Sequence, residues 1–258
     1  MSKQLMRLAS ALIVALLFLA LPAEAKPSVL GLDPNVALGA YKGMVEEHFA
    51  GIFRTTRALA LTNEAKSGKW KSIEPLLRNF SKDLPTDATV WYAMPDGSYY
   101  STESGGLTSQ NLKDRAYFPE LLAGNDVKCD LVISKSTGHR SVIVASPVVR
   151  DGKMVAAIGV SVRVHFLSDL VSEDLVLPDG TYFYALDPTA KIVLHRYIGR
   201  ILKNVDDVAD EILGDEFRKI MTGNQGTFEY RLNGKKIIAI FRKSESLGWY
   251  FFIAQEKS

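Results

Sequence analysis

Cysteine is almost absent: Cys129 stands alone in a chain of 258 residues. No disulfide can close within such a chain, so its stability has to come from packing. As a nucleophile Cys129 would need a base, and His139 is the nearest candidate. The residues around it read as strands and a turn with no activating group, so a buried, inert thiol is expected. Net charge is scarce too, +2 from 31 basic and 29 acidic residues, with no basic stripe. That argues against nucleic acid as a partner. Beyond Leu21 no apolar run approaches the ~20 residues a bilayer crossing needs. Catalytic signatures are missing as well: no G-x-S-x-G elbow, no phosphate loop, no H-E-x-x-H, and no acid or histidine cluster at metal-ligand spacing. No enzyme and no cofactor are expected.

What is present begins with an address. Lys3 and Arg7 precede the short apolar run Leu8 to Leu21, and Ala23-Glu-Ala25 offers a cleavage site. Residues 1–25 therefore read as a signal peptide, with a mature start at Lys26 and a periplasmic or secreted product. A retained N-terminal anchor is the alternative. No cysteine sits at the cleavage point, so a lipoprotein is not expected. The remainder is rich enough in apolar residues, 47% of the chain, to bury a core.

Asp33-Pro34 reads as a helix start, with Asp as N-cap and Pro in the first turn. Leu38, Tyr41, Val45, Phe49, Ile52, Thr56 and Leu59 then recur at steps of three and four, which predicts a helix to about Thr62, roughly 45 Å long. A stripe of that length can pack along two stacked modules. Glu46, Glu47 and His48 are expected on its solvated side. A second helix carries Trp70, Ile73, Leu77 and Phe80 on one face.

Strands follow. Thr89 to Met94 and Ser98 to Thr102 flank Pro95-Asp-Gly97 and predict a hairpin. With Asp96-Gly97 as a two-residue turn, Met94 would pair with Tyr99 and Ala93 with Tyr100. Alternation then puts Val90, Tyr92, Met94 and Tyr99 against the helices, and Trp91, Ala93, Tyr100 and Thr102 on the other face. In the strand Val155 to Val164 the branched residues share one face, and Ala157, Gly159 and Ser161 the other. Small residues on the non-helical face of both strands suggest a pocket there. The segment Glu103 to Asn111, rich in Gly, Ser and Thr, reads as a mobile cover. After a helical linker near Phe166 to Leu177, Thr181 to Leu186 echoes Thr89 to Met94 in Thr, Tyr and Ala at identical spacing. A closing meander follows over 226–255, as at 141–164, which points to a duplicated module. His195-Arg196 is the polar cluster to inspect in the second copy, with a surface position expected for both.

The segment around Arg115 is the most suggestive chemically. An arginine beside Asp114 and two aromatics, on a loop between strands, can hold a small anion, since the guanidinium offers a fixed fork of donors. A solvated Arg–Asp turn is the plainer reading. Arg115-Ala-Tyr-Phe118, then Ser134-Lys-Ser-Thr-Gly138, then Pro147-Val148 leading to Gly152 and Gly159 together resemble the extracytoplasmic Cache sensor family, in its double form. The resemblance implies an α+β fold with a long N-terminal helix and two PAS-like antiparallel-sheet modules. It divides the chain into a signal peptide (1–25), a helical stalk (26–85), a membrane-distal module (86–165) and a membrane-proximal one (166–258).

The resemblance also implies an exported sensor that binds a small molecule in the distal module, with Trp91, Tyr100, Asp114, Arg115, Tyr117, Ser134 and Ser161 around it. The amino-acid-binding branch of the family uses acidic residues that fall here on Ser134 and Ser161, and its Trp-Tyr becomes Tyr117-Phe118. What survives is the carboxylate clamp, Arg115. An ammonium facing two serines would lose about 1.5–3 kcal/mol per charged hydrogen bond, so a small organic acid without an amino group is expected. Signalling would pass to a separate membrane protein such as a histidine kinase, chemoreceptor or cyclase. The rival reading is a ligand-free interaction protein that uses the sheet as a platform.

Overall fold

Asp33 opens the first helix by accepting the Asn35 N–H on its side chain at 2.7 Å, and α1 runs from Pro34 to Ala60. The computed structural model describes residues 33–257 apart from Ser136. The leader and cleavage site read over 1–25, and the third residue of the Ser134–Gly138 turn, lie outside the described residues. Two short steps follow α1: α2 (Asn63–Lys66) and α3 (Trp70–Asp83), whose Trp70, Ile73, Leu77 and Phe80 are all buried.

The first sheet contains β1 (Ala88–Ala93), β2 (Ser98–Ser101), β3 (Gly106–Asn111), β4 (Val127–Ile133), β5 (Arg140–Arg150) and β6 (Lys153–Arg163), ordered β3-β2-β1-β6-β5-β4. Between β3 and β4 lies α4 (Phe118–Leu122), and α5 (Val164–Asp174) leads to the second sheet. There β7 (Thr181–Leu186), β8 (Ile192–His195), β9 (Gln225–Leu232), β10 (Lys235–Lys243) and β11 (Tyr250–Lys257) are ordered β8-β7-β11-β10-β9. Two helices, α6 (Val205–Val208) and α7 (Glu211–Ile220), cross from β8 to β9. Every ladder is antiparallel. The fold is α+β: a long helix backed by two antiparallel sheets.

One apolar stripe on α1 serves both sheets. Tyr41 packs against Phe183 and Phe251 of the second sheet, ring centroids 5.0 Å apart in each case. Phe49 meets Trp249 edge-on at 5.5 Å. Further along, Ile52 is buried, and the Thr56 hydroxyl lies 3.5 Å from that of Ser146 in the first sheet.

Three expectations need correction. The supposed cover at 103–111 contains β3, which pairs with β2 through Tyr100↔Leu107 and Ser101↔Gly106. An edge strand built from Gly, Ser, Thr and Gln has no apolar alternation to betray it. Glu46 and His48 are half-buried. Glu46 accepts the Ser244 hydroxyl at 2.6 Å, and burial pushes the His48 imidazole down to about 4. The first hairpin is also longer in the turn than expected. Gly97 N–H bonds Met94 O at 2.9 Å and Met94 N–H bonds Ser98 O at 2.8 Å, a type I turn closed by Gly97 at φ 84°. The ladder becomes Tyr92↔Tyr100 and Ala93↔Tyr99, one residue out from the expected register, so both tyrosines exchange faces.

Candidate functional site on the first sheet

The face of the first sheet turned away from α1 carries its own cluster: Trp91, Ala93, Tyr99, Ile143, Ala145 and Ala157, roofed by residues of the β3–β4 connection. The connection is pinned at both ends. Leu112 N–H bonds Gly97 O at 2.8 Å, and a Cβ on Gly97 would run into Asn111 and the Lys113 backbone. At the far end Phe118 and Leu121 of α4 are buried in the cluster. Between these anchors, turn bonds from Arg115 N–H to Leu112 O and from Phe118 N–H to Arg115 O fix where Arg115 and Tyr117 can point.

Arg115 Nη2 donates to the Ile133 carbonyl at 2.6 Å, which ties the arginine to the end of β4. Its Nε is buried with no hydrogen-bond partner among the described residues. The Tyr117 ring is 4% exposed. Burial raises its phenol pKa, and Arg115 opposes that while Tyr99 and Asp130 reinforce it. The Tyr117 hydroxyl thus sits in the field of both Arg115 and Asp130. Asp130 pairs with Ile143 across the β4–β5 ladder and so shares the cluster's face. It is half-buried, burial raises its carboxyl pKa, and it makes no hydrogen bond or ion pair among the described residues.

Asp130 reaches this face through a bulge. Cys129 adopts φ 62°, and the register shifts between Lys128 and Asp130. The extra residue sends both Lys128, over the Phe53 ring of α1 at 4.9 Å, and Cys129, in the helix-side core, to one side. Asp130 then falls on the other. Bulges that re-aim a side chain are common beside binding sites. The Cys129 thiol is pushed up to about 12 by burial, the opposite of what a nucleophile requires.

The remaining predicted site residues divide. Trp91 lies in the cluster, and its Nε1–H donates to Ser161 Oγ at 3.1 Å. The small residue opposite Trp91 is Gly159, and a Cβ there would overlap the indole. The glycine therefore makes room for Trp91 itself. Ser134 accepts the Thr137 N–H at 3.3 Å and helps shape the turn after β4. Tyr100 does not belong to the site: it stacks on Trp70 of α3 at 5.3 Å and 9°, and the register shift that moved it puts Tyr99 in the cluster. Asp114 does not brace Arg115. Its carboxylate is exposed and paired with Lys135, because the turn points it outward. Asp130 and Tyr99 are what sequence reasoning missed, the first behind a bulge and the second behind a one-residue register error.

Among the described residues no group of three or more His, Cys, Asp or Glu could hold a metal ion, and no helix is long and apolar enough to cross a membrane. The site offers an unsatisfied guanidinium nitrogen and an unpaired carboxylate among aromatic walls, an arrangement suited to binding a small polar molecule.

Comparison with known proteins agrees with the fold. The ligand-binding domain of the amino-acid chemoreceptor PctB of Pseudomonas aeruginosa PAO1, solved with L-Arg, superposes with a TM-score of 0.67 at 17% identity, over 87% of this chain and 92% of that one. The ligand-binding domain of the Campylobacter jejuni chemoreceptor Tlp3, solved with L-norvaline, gives 0.65 at 16% identity over 86% and 89%. The extracellular domain assigned to the histidine kinase rpHK1S-Z16 gives 0.71 at 14% identity over 87% and 92%. No curated protein matches the sequence. The Cache domain pattern matches residues 37–258, nearly the whole described chain, and the chain belongs to the Cache domain family of sensory ligand-binding domains.

Proposed function

We propose that the outer face of the first sheet binds a free amino acid outside the cytoplasm, and that its occupancy is reported to a separate membrane signalling protein of the chemoreceptor, histidine kinase or cyclase kind. The observation that carries this reading is the pair of unsatisfied charges. Among the described residues Arg115 presents a buried Nε with no partner, and Asp130 stands half-buried with no cation beside it. An α-carboxylate on Arg115 and an α-ammonium on Asp130 would satisfy both, with the aromatic cluster around the side chain. The expectation of an acid without an amino group rested on the serines at 134 and 161. Ser161 is engaged by Trp91, and Asp130 supplies the counter-charge those serines lack. Structural relatives crystallised with L-Arg and L-norvaline support the same class of ligand.

The test is a thermal-shift screen that pairs each amino acid with the carboxylate lacking its amino group, L-norvaline with valerate for example. A ligand at 100 times its dissociation constant should stabilise the protein by about 2.7 kcal/mol. Arg115→Ala should weaken binding of whichever amino acid responds by about 2–5 kcal/mol, because the ligand charge is left buried and unpaired. Asp130→Asn should erase the preference for the amino acid over its partner acid. A folded Arg115→Ala protein with unchanged affinity would overturn the clamp, and equal response to both members of each pair would overturn the role of Asp130.

A further inference from the structure

The second sheet holds a pocket of its own. Its face away from α1 encloses about 40 Å³ between β7, β8, β9 and the α6–α7 crossover. At about 10–15 Å³ per water, that is room for three waters or a ligand of three or four heavy atoms. Tyr182, Tyr184, His195, Arg200 and Tyr230 supply its polar atoms, and the rest of the wall is apolar. His195, expected at the surface, is 3% exposed. It ends β8 pointing inward, while Arg196 takes the outward position.

The hydrogen bonds around His195 do not close. The Tyr197 backbone N–H donates to Nδ1 at 2.8 Å. A backbone amide can only donate, so Nδ1 carries the lone pair and the ring is neither protonated nor the Nδ1–H tautomer. The single ring proton is then on Nε2. Yet the atom facing Nε2, at 3.3 Å, is Arg200 Nη1, which is also only a donor. Two donors meet with no acceptor between them. Burial and Arg200 hold the imidazole neutral, its pKa down at about 3, in keeping with this tautomer.

Two further features have the same sign. Arg200 stacks on Tyr197 at 5.3 Å and has no carboxylate partner among the described residues. The Tyr230 hydroxyl lies 3.2 Å from that of Tyr184 and 3.4 Å from that of Tyr182. Three hydroxyls joined by two links use two protons between them and leave one to donate elsewhere. The cavity thus gathers an imidazole N–H, a guanidinium and a phenol O–H, and offers them no charged acceptor, only the hydroxyl oxygens of the tyrosines themselves.

We propose that this pocket is a second ligand site, and that it takes a monocarboxylate of about the size of acetate. One carboxylate oxygen would accept from Nε2–H of His195 and from Arg200, and the other from the tyrosine cluster. A single negative charge balances Arg200. A dianion would leave a charge uncompensated beside Val205, Leu213 and Phe217, which is costly against apolar walls. The volume limits the tail to about one carbon.

The experiment is calorimetry of the purified protein with acetate, against chloride at equal ionic strength, on wild type, Arg200→Gln and Arg115→Ala. Arg200 is half-exposed, so the glutamine variant should fold, and circular dichroism checks that it does. Binding should weaken at least about tenfold in Arg200→Gln and stay unchanged in Arg115→Ala, which separates this site from the one on the first sheet. Long-range 15N–1H NMR should show the Nε2–H tautomer at His195, and acetate should shift that nitrogen. No heat beyond chloride, equal binding by Arg200→Gln, or an Nδ1–H tautomer would each overturn the proposal. Loss of binding in Arg115→Ala with retention in Arg200→Gln would do so as well, by placing acetate on the first sheet.

Discussion

The two sheets are copies in topology and opposites in chemistry. Without edge strand β3, the first sheet reads β2-β1-β6-β5-β4 and the second β8-β7-β11-β10-β9, the same winding twice. Each turns one face to α1 and the other outward. On the first sheet the charged groups come from a loop and a bulge, Arg115 and Asp130, and stay partly open to solvent. On the second sheet the polar groups of the pocket come mostly from the strands, with Arg200 alone supplied by the turn after β8, and the strand-borne ones lie inside dense aromatic packing: Tyr184 stacks on Phe252 at 4.7 Å and 8°. Loop-borne groups can change identity and reach without disturbing the sheet, whereas strand-borne groups are tied to the core. If both bind ligands as proposed, the first site would admit a variable side chain and the second only a small molecule.

Phe252→Ala is the severest test of that contrast. Phe252 is fully buried and packs on Tyr184, Phe217 and Phe241, so truncation should cost about 3–5 kcal/mol in urea unfolding. A cost below 1 kcal/mol would mean that the second pocket is loose rather than braced. Acid should act next most strongly, and through the same pocket. His195 is held down to about 3 by burial and by Arg200, against about 6.5 in the unfolded chain. Between those values the unfolded chain binds the proton and the fold does not. Its contribution is therefore complete above pH 6.5 and is lost as pH falls towards 3, by on the order of a few kcal/mol. His48, held at about 4, acts over a narrower window. His195→Asn should flatten the acid limb of stability against pH more than His48→Asn does. The reverse order would show that the His195 imidazole is solvated.

Much of the fold was legible because its signals are periodic. Asp33 as a cap, the stripe from Leu38 to Thr56 and the meanders of each module are all found close to where spacing puts them. The repeat was legible for a weaker reason than the match suggested. In the first sheet Val90 and Tyr92 face α1, whereas in the second Tyr182 and Tyr184 face away from it and Phe183 and Ala185 face it. The shared Tyr and Ala therefore occupy opposite faces, and strand order carries the duplication. The site was harder to read. Tyr100 and Tyr99 depended on one residue of turn length, Asp130 on a bulge, and His195 on whether a strand end points in or out. None of these leaves a mark in apolar periodicity. Arg115 was singled out because a motif, not a pattern, marks it.

Gly159→Ala probes the first sheet at a smaller scale. Its added methyl would overlap the Trp91 indole, and displacing that ring should cost about 1–3 kcal/mol and break the Trp91–Ser161 hydrogen bond. Fluorescence of Trp91, with the other two tryptophans replaced, should shift to longer wavelength. An unchanged spectrum would mean that the indole does not lie over the glycine. No such change is expected in the second pocket, so acetate binding should be kept.

The smallest effect concerns the helix the two sheets share. On the first-sheet side the buried polar group of α1 is satisfied: Thr56 donates to Phe53 O at 2.9 Å, with the Ser146 hydroxyl beside it. On the second-sheet side Tyr41 is fully buried between Phe183 and Phe251, and its hydroxyl has no partner among the described residues. An unsatisfied hydroxyl carries its desolvation cost into the folded state, typically 1–3 kcal/mol. Tyr41→Phe keeps the ring and its edge contacts and removes only that oxygen, at the cost of a void smaller than a methyl group. The balance favours the variant by about 1 kcal/mol, or about 2–4 °C in a chain of this size. Thr56→Val, which deletes a bonded hydroxyl at an equally buried position, should move the melting temperature the other way. If Tyr41→Phe melts lower than wild type, a water satisfies the hydroxyl, and the second-sheet half of α1 is as well paired as the first.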